Sequence, residues 1–205
     1  MRRPADVEAE AQAAGLQVEQ LAEVTLPSGE RALAARLSFD DPWAAVRLLC
    51  DRAAEDANDP RVRVWALALL RAAADTIGHE GPTVTAPLAR AAARSLHASV
   101  QRSIRYVVEP RETFQSAAVT MELQAGDCDD HAALVYALAH AMGMPARICI
   151  LTDAEGEPVH AVAKLYDGSA WQWAETTIPA GFGEDPQAAF ARCKREGLIA
   201  SRANL

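Results

Sequence analysis

The stretch Gly126-Asp127-Cys128-Asp129-Asp130-His131 decides the fold, because a run of helical character follows it directly. Residues 132–142 are mostly alanine, leucine and other apolar types, and Gly143 closes the run. This pattern predicts a helix over residues 128–142 with a cysteine in its first turn. Because unpaired N–H groups and the helix dipole favour an anion at a helix start, the position favours a thiolate on Cys128.

Two later residues supply the groups that a cysteine nucleophile needs. The strand-like segments 159–166 and 170–177 contain His160 and Glu175 and are joined by a turn signal, Asp167-Gly168-Ser169. Residues facing each other across that turn have numbers that add up to about 337, which makes Glu175 a near-diagonal neighbour of His160. Cysteine, histidine and carboxylate in this order suggest a nucleophile, its general base and the residue that orients the base.

The residues around Cys128 allow other interpretations. His131 shares a helix face with Cys128 and is an alternative base. Asp127, Asp129, Asp130 and His131 suggest a metal site, but a helix start spreads them over different faces, so capping and packing roles are favoured and no metal is predicted. Their charges would raise the pKa of Cys128 unless donors such as Arg105 or Arg111 pair with them.

The composition is that of an ordinary globular chain of 205 residues, 50% hydrophobic and 23% charged. A net charge of −8 argues against binding of nucleic acid or anionic membranes. No apolar run approaches the roughly 18 residues of a membrane span, and none follows Arg2 and Arg3 as in a signal peptide, so a cytoplasmic location is expected. The four cysteines lack metal-binding spacing and are interpreted as free thiols, and no cofactor is predicted.

The order of local signals predicts an α+β chain in two parts. Residues 16–26 and 31–39, on either side of a Pro-Ser-Gly-Glu turn, predict a β-hairpin, with Leu33 to Phe39 alternating on one face. A helix is the alternative, because alanine and leucine are good helix formers. Residues 1–40 are predicted to form an N-terminal appendage. Helical patterns follow up to about residue 104, with Asp41-Pro42 and Asp59-Pro60 as helix starts. A loop is expected from residue 110 to the cysteine helix. Residues 41–205 are predicted to be one domain.

Several separated elements together resemble the transglutaminase-like superfamily, a branch of the papain-like cysteine fold. The resemblance extends over about residues 56–185. Its elements are Ile104-Arg105-Tyr106, the box Gly126 to Ala132, Gly143-Met144-Pro145-Ala146-Arg147, the His160 strand, and the segment from Trp171 to Thr177.

The resemblance implies a cysteine helix packed on an antiparallel sheet that carries the histidine and the carboxylate. It implies a triad of Cys128, His160 and Glu175, in which glutamate stands where the family has aspartate. The family's oxyanion site combines the backbone N–H of the cysteine with an upstream side chain, for which Gln115 and Gln124 are the alternatives.

The implied activity is cysteine-dependent acyl transfer from an amide of a protein or peptide substrate. Water as acceptor makes the protein a protease or amidase, and an amine makes it a transglutaminase. Trp171 and Trp173 either line the acyl-substrate groove or belong to the core. Compact bacterial members of this type occur among phage and prophage structural genes. The alternative is therefore an inactive fold that assembles with phage structural proteins and is associated with the virion.

Overall fold

A computed structural model describes residues 4–13, 15–38, 42–108 and 115–199 of the chain. The described residues form seven helices and seven strands. In chain order these are α1 (Pro4–Ala13), β1 (Gln17–Thr25), β2 (Arg31–Ser38), α2 (Pro42–Asp56), α3 (Pro60–Ile77), α4 (Ala86–Ser103), β3 (Arg105–Tyr106), α5 (Ala117–Leu123), β4 (Ala125–Gly126), α6 (Cys128–Ala141), β5 (Ala146–Thr152), β6 (Pro158–Tyr166), β7 (Trp171–Ala174) and α7 (Pro186–Arg195).

Helix α6 is the centre of the fold. Its residues from Asp129 to Ala139 are buried except for Tyr136, because α2, α3, α4, α5, β5 and β6 all pack around it. A helix that is apolar on all sides is stable only when it is surrounded in this way. The predicted α+β fold, with the cysteine at the start of a helix packed on an antiparallel sheet, is confirmed.

The sheet that carries the histidine has the strand order β5-β6-β7 and is antiparallel throughout. Tyr166 pairs with Trp171 and Ala163 pairs with Ala174, which is the register predicted from the turn. One sheet face, with Ala163 and Leu165, joins the main core together with α6. Strand β7 ends at Ala174, earlier than the predicted residue 177, so Glu175 lies just beyond the strand pairing.

The segment before the cysteine helix is more ordered than predicted. Instead of a continuous loop, the structure has β3, the short helix α5 and β4, and β3 pairs in parallel with β4. The predicted loop is therefore wrong for residues 117–126. Seven residues are too few to show helical periodicity, and α5 is stabilised by burial of Ala117 and Ala118 and by its Ser116 cap. Pro110 and Arg111 lie outside the described residues.

The predicted N-terminal hairpin is present, with Gly29 in its turn at φ 86°. The hairpin contacts the rest of the chain at two places. The Ser28 N–H donates to Glu122 at 2.7 Å, and Glu30 forms an ion pair with Arg61. The alternating face from Leu33 to Phe39 and the cap at Asp41 fall outside the described side chains. The division into residues 1–40 and 41–205 stays a prediction.

No helix within the described ranges has both the length and the apolar character that crossing a bilayer requires.

Candidate active site

Cys128 is the first residue of α6, and a capping box holds the helix start around it. The side chain of Asp127 accepts the backbone N–H of Asp130, and the Asp130 carboxylate accepts the N–H of Asp127 at 3.3 Å. Gly126 leaves room for this box, since a Cβ there would come within 2.6 Å of the Asp130 Cβ. Asp127 and Asp130 therefore have the predicted capping roles, and they fix the backbone that presents Cys128.

His160 and Glu175 form a buried pair whose charges act on His131, one turn into α6. The imidazole Nε2 lies 2.6 Å from Oε2 of the carboxylate, and the two side chains are 7% and 1% exposed. This contact is the one expected from the sheet register. Because Nε2 contacts Glu175, the imidazole keeps Nδ1 for a second partner. The glutamate is accommodated because it follows the last residue of β7 and is not held by the strand pairing.

The second oxygen of Glu175 is also fully engaged. Oε1 accepts both the backbone N–H and the hydroxyl of Thr177, each at 2.7 Å. Burial alone would raise the pKa of Glu175, but the hydrogen bond and charge of His160 and the Thr177 donors outweigh it, so the pKa lies below its usual value. The carboxylate is thus ionised and fixed, as a residue that orients an imidazole must be.

Two residues of α4 that sequence reasoning missed fix the backbone at Glu175 and after it. The carbonyl of Glu175 lies 2.8 Å from Nε2 of His97, which is 4% exposed. Burial lowers the pKa of His97, so the neutral ring donates this hydrogen bond. Gln101 donates to the carbonyls of Ile178 and Ala180 at 2.7 and 3.0 Å. Their only sequence signal was the position of two polar residues beside the apolar stripe of α4.

His131, the alternative base, has a different environment. It is 1% exposed, and its Nδ1 lies 2.9 Å from the hydroxyl of Thr176. Burial lowers the pKa of His131 to about 4, although the charge of Glu175 acts in the opposite direction. Such an imidazole is neutral at pH 7 and holds an abstracted proton poorly. Its role as a base stays a prediction, and this geometry gives it less support than His160 has.

Tyr106 is a further residue of the site to which the sequence analysis assigned no role. It lies on β3 and pairs with Gly126. Its ring meets the His131 ring edge-on, with the two ring centroids 6.4 Å apart. Burial, followed by the negative charges of Cys128 and Asp127, raises the pKa of Tyr106 to about 12. The phenol therefore stays protonated at neutral pH and can donate a hydrogen bond near the thiol. Its only signal was its place in the Ile-Arg-Tyr motif.

The two predicted oxyanion residues occupy different positions. Gln115 donates its backbone N–H and its side-chain Nε2 to the Asp130 carboxylate, at 2.9 and 2.6 Å, so its amide nitrogen supports the capping box. Gln124 ends α5 in the left-handed conformation at φ 51°, and its side chain is exposed. Its carbonyl accepts the N–H of Arg105 at 2.9 Å. Oxyanion roles for both residues stay predictions.

The predicted groove residues Trp171 and Trp173 lie half-buried on the sheet face that carries His160. Each indole has a cation over its ring: the Arg147 guanidinium lies 4.2 Å from the Trp171 centroid, and the Lys164 ammonium lies 3.7 Å from the Trp173 centroid. Neither tryptophan belongs to the main core cluster. Their contact with a substrate stays a prediction.

The side chains of Asp127, Cys128 and Asp129 each offer one potential metal-binding atom, and these atoms lie within 4.8 Å of one another. The capping role of Asp127 accounts for one of the three without an ion. The expected absence of a metal stays a prediction.

The family model of the transglutaminase-like superfamily matches residues 75–176, which include the cysteine, histidine and glutamate just described. The chain belongs to the transglutaminase-like superfamily. No curated protein matches the sequence.

One solved structure shows a similar fold, and others are similar at lower TM-scores. A candidate protease from Parabacteroides distasonis is similar with a TM-score of 0.50 and 12% identity, over 78% of this chain and 37% of that protein. A candidate cysteine protease from Cytophaga hutchinsonii has a TM-score of 0.39 and 18% identity, over 85% and 71% of the two chains. The periplasmic domain of TgpA from Pseudomonas aeruginosa has a TM-score of 0.39 and 16% identity, over 80% and 65%. The chain spans only about a third of the Parabacteroides protein.

Proposed function

We propose that this protein is a cysteine-dependent acyl-transfer enzyme that acts on amides of protein or peptide substrates. The observation that carries the proposal is the buried 2.6 Å contact between His160 Nε2 and the Glu175 carboxylate. It holds the imidazole with Nδ1 available to a nucleophile, and Cys128 stands at the start of the neighbouring helix α6. Membership of the superfamily supports the same assignment of roles.

In the proposed reaction, His160 takes the thiol proton and the Cys128 sulfur attacks the amide carbonyl carbon, forming a C–S bond. The imidazolium then gives its proton to the leaving amine as the C–N bond breaks. Glu175 stabilises the imidazolium through the short hydrogen bond to Nε2 and keeps the ring in one orientation. The thioester that remains is attacked by water or by an amine, which restores Cys128.

The tetrahedral intermediate carries a negative oxygen that needs donors. We assign this task to the backbone N–H of Cys128 at the helix start and to the Tyr106 hydroxyl. The position of Tyr106 supports the second assignment, because Tyr106 pairs with Gly126, two residues before Cys128, and the charge of Cys128 is among the causes that raise its pKa. Gln115 has less support than Tyr106, since its amide nitrogen already donates to Asp130.

An electrophilic peptide tests the identity of the nucleophile. The protein is treated at pH 7 with a peptidyl acyloxymethyl ketone, and the modified residue is located by peptide mass spectrometry. We expect modification of Cys128, and no adduct in the Cys128→Ala variant. Cys50, Cys149 and Cys193 are internal controls, since they are free thiols in the same sample. Equal modification of all four cysteines would contradict the proposal.

The second candidate is an inactive fold with an assembly role, for which phage structural proteins were the partners suggested by the sequence. The observation in its favour is the presence of Asp127 and Asp129 beside Cys128, since negative charges oppose formation of a thiolate. The Cys128→Ala variant separates the two functions. An assembly role predicts that this variant keeps its function, whereas the enzyme loses all turnover.

A further inference from the structure

The outer face of the sheet carries a compact group of cations and aromatic rings. Arg147, Lys164, Tyr166, Trp171 and Trp173 form it, and we call it the cation–aromatic patch. Lys164 stands opposite Trp173 and Tyr166 opposite Trp171 in the strand register. The Arg147 guanidinium lies over one indole and the Lys164 ammonium over the other, so each charge is held in place by a ring.

The two cations of the patch are adjacent and carry the same charge. Arg147 and Lys164 are directly opposite each other on β5 and β6, an arrangement of like charges that weakens strand pairing. Within the described ranges, neither lies within 4 Å of a carboxylate, whereas Arg61 and Arg192 form ion pairs. Because the two like charges face each other across the strand pair, an external anion bound between them would relieve their repulsion.

The position of the patch connects it to the candidate active site. His160, Val162, Lys164 and Tyr166 alternate along β6 and share one sheet face. Lys164 is four residues from His160, which corresponds to about 13 Å along a strand. An extended peptide has nearly the same rise per residue. An extended chain whose amide lies beside His160 would therefore reach Lys164 about four residues from that amide.

We propose that the cation–aromatic patch binds an acidic segment of the protein or peptide substrate, centred about four residues from the amide that reacts. Carboxylates of the segment pair with Arg147 and Lys164, and its apolar atoms pack on Trp171 and Trp173. This inference rests on the proposed function, because it takes the same substrate and the same sheet face.

The charge distribution favours a peptide over a nucleic acid as the bound anion. Affinity for nucleic acids depends on many phosphate contacts, and this patch offers only two cations. The net charge of −8 also repels an extended polyanion, while a short acidic peptide segment needs no more than the patch itself.

Binding is tested with the Cys128→Ala variant, so that turnover is not required. The probes are fluorescein-labelled peptides with a central glutamine and two glutamates placed four residues before it or four residues after it. Matched peptides carry two glutamines or two lysines instead of the glutamates. We expect fluorescence anisotropy to show that one glutamate peptide binds at least about tenfold more tightly than its glutamine counterpart. This preference should decrease with added salt.

Substitutions then locate the binding site. Arg147→Gln combined with Lys164→Gln should abolish the preference for glutamate, and Lys164→Glu should transfer it towards the lysine peptide. The matched control combines Arg63→Gln with Lys194→Gln, which removes one exposed arginine and the only other lysine of the chain. Circular dichroism shows that each variant is folded.

Three results would overturn the inference: equal affinity for glutamate and glutamine peptides, an undiminished preference in the patch variant, or tighter binding of a single-stranded oligonucleotide to the patch. None of these depends on whether Cys128 is a nucleophile. Modification of Cys128 by the electrophilic peptide, together with no preference for glutamate, would leave the proposed function intact and remove only this inference.

Discussion

Two buried histidines in this protein have opposite environments, although their partners are adjacent in the sequence. His160 contacts the carboxylate of Glu175 at 2.6 Å, whereas His131 contacts the hydroxyl of Thr176 at 2.9 Å. A carboxylate stabilises an imidazolium, whereas a neutral hydroxyl does not compensate for the loss of solvation of a charged ring. His131 is accordingly neutral, with its pKa lowered to about 4.

If His160 is the base, as proposed, distance from the cysteine along the chain does not identify it. His131 lies one helical turn from Cys128 and His160 lies 32 residues away. His160 has the charged partner that the proposed reaction requires, while His131 connects α6 to the segment after β7. His160 is thus paired with a charged group and His131 with a neutral one.

The largest expected effect comes from removing the carboxylate from the His160 pair. Glu175→Ala should reduce the rate of Cys128 modification by the electrophilic peptide about a thousandfold, because the imidazolium loses its stabilising charge. Glu175→Gln keeps a hydrogen-bonding group, so the rate of Cys128 modification should fall only about tenfold to a hundredfold.

Glu175→Asp restores the residue typical of the family but shortens the side chain. We expect Cys128 to be modified more slowly in this variant than in the native protein. Oε1 of Glu175 is held by Thr177, and a shorter side chain would not reach both Thr177 and His160. Rates equal to the native rate for all three variants would show that Glu175 does not orient His160.

The next effect separates the two histidines by pH. The pKa of His131 is about 4 in the folded protein and about 6.5 in the unfolded chain. As the pH falls, the unfolded chain therefore takes up a proton on His131 before the folded protein does. The resulting stability is fully present above about pH 6.5 and is lost as the pH falls towards 4, by about 3 kcal/mol in order of magnitude. Urea unfolding between pH 4 and 7 measures this change.

His131→Asn should make this pH dependence shallower, because asparagine keeps a donor near Thr176 and does not titrate. A residual slope remains, since burial also lowers the pKa of His97. The rate of Cys128 modification at pH 7 should change less than about threefold. The roles assigned to the two histidines would be reversed by either of two results. The free energy of unfolding of His131→Asn would keep the native pH dependence, or the reactivity of Cys128 would fall as much as in Glu175→Ala.

The smallest effects come from the two threonines. Thr177→Val removes the hydroxyl that donates to Glu175 Oε1 at 2.7 Å but keeps the backbone donor, so reactivity should fall about twofold to fivefold. Thr176→Val should instead lower the free energy of unfolding by about 1 kcal/mol and leave reactivity nearly unchanged. The exposed Thr152→Val is the control, and equal effects of Thr176→Val and Thr177→Val on reactivity would remove the distinction.

Much of the site could be predicted because it depends on local signals. A short turn fixes the register of the strands on both sides. Counting residue pairs outwards from that turn therefore predicted that His160 and Glu175 lie close together. The start and end of α6 followed from the acidic cap and Gly143, which has a positive φ of 74°.

Other parts depend on contacts between distant residues and had no local signal. His97 holds the carbonyl of Glu175 across 78 positions of sequence. Helix α5 is too short for periodicity, and the pairing of Tyr106 with Gly126 joins two-residue strands that have no pattern of their own. These contacts form only when the helices pack around α6.

The most direct test of the account is the rate of iodoacetamide alkylation at Cys128 against pH, with and without His160→Ala, measured by peptide mass spectrometry. We predict a half-maximal rate at least about one pH unit below the value of about 8.5 for an ordinary thiol, and a return towards 8.5 without His160. Slow alkylation of Cys128 with a midpoint at or above 8.5, unchanged by His160→Ala, would contradict the account.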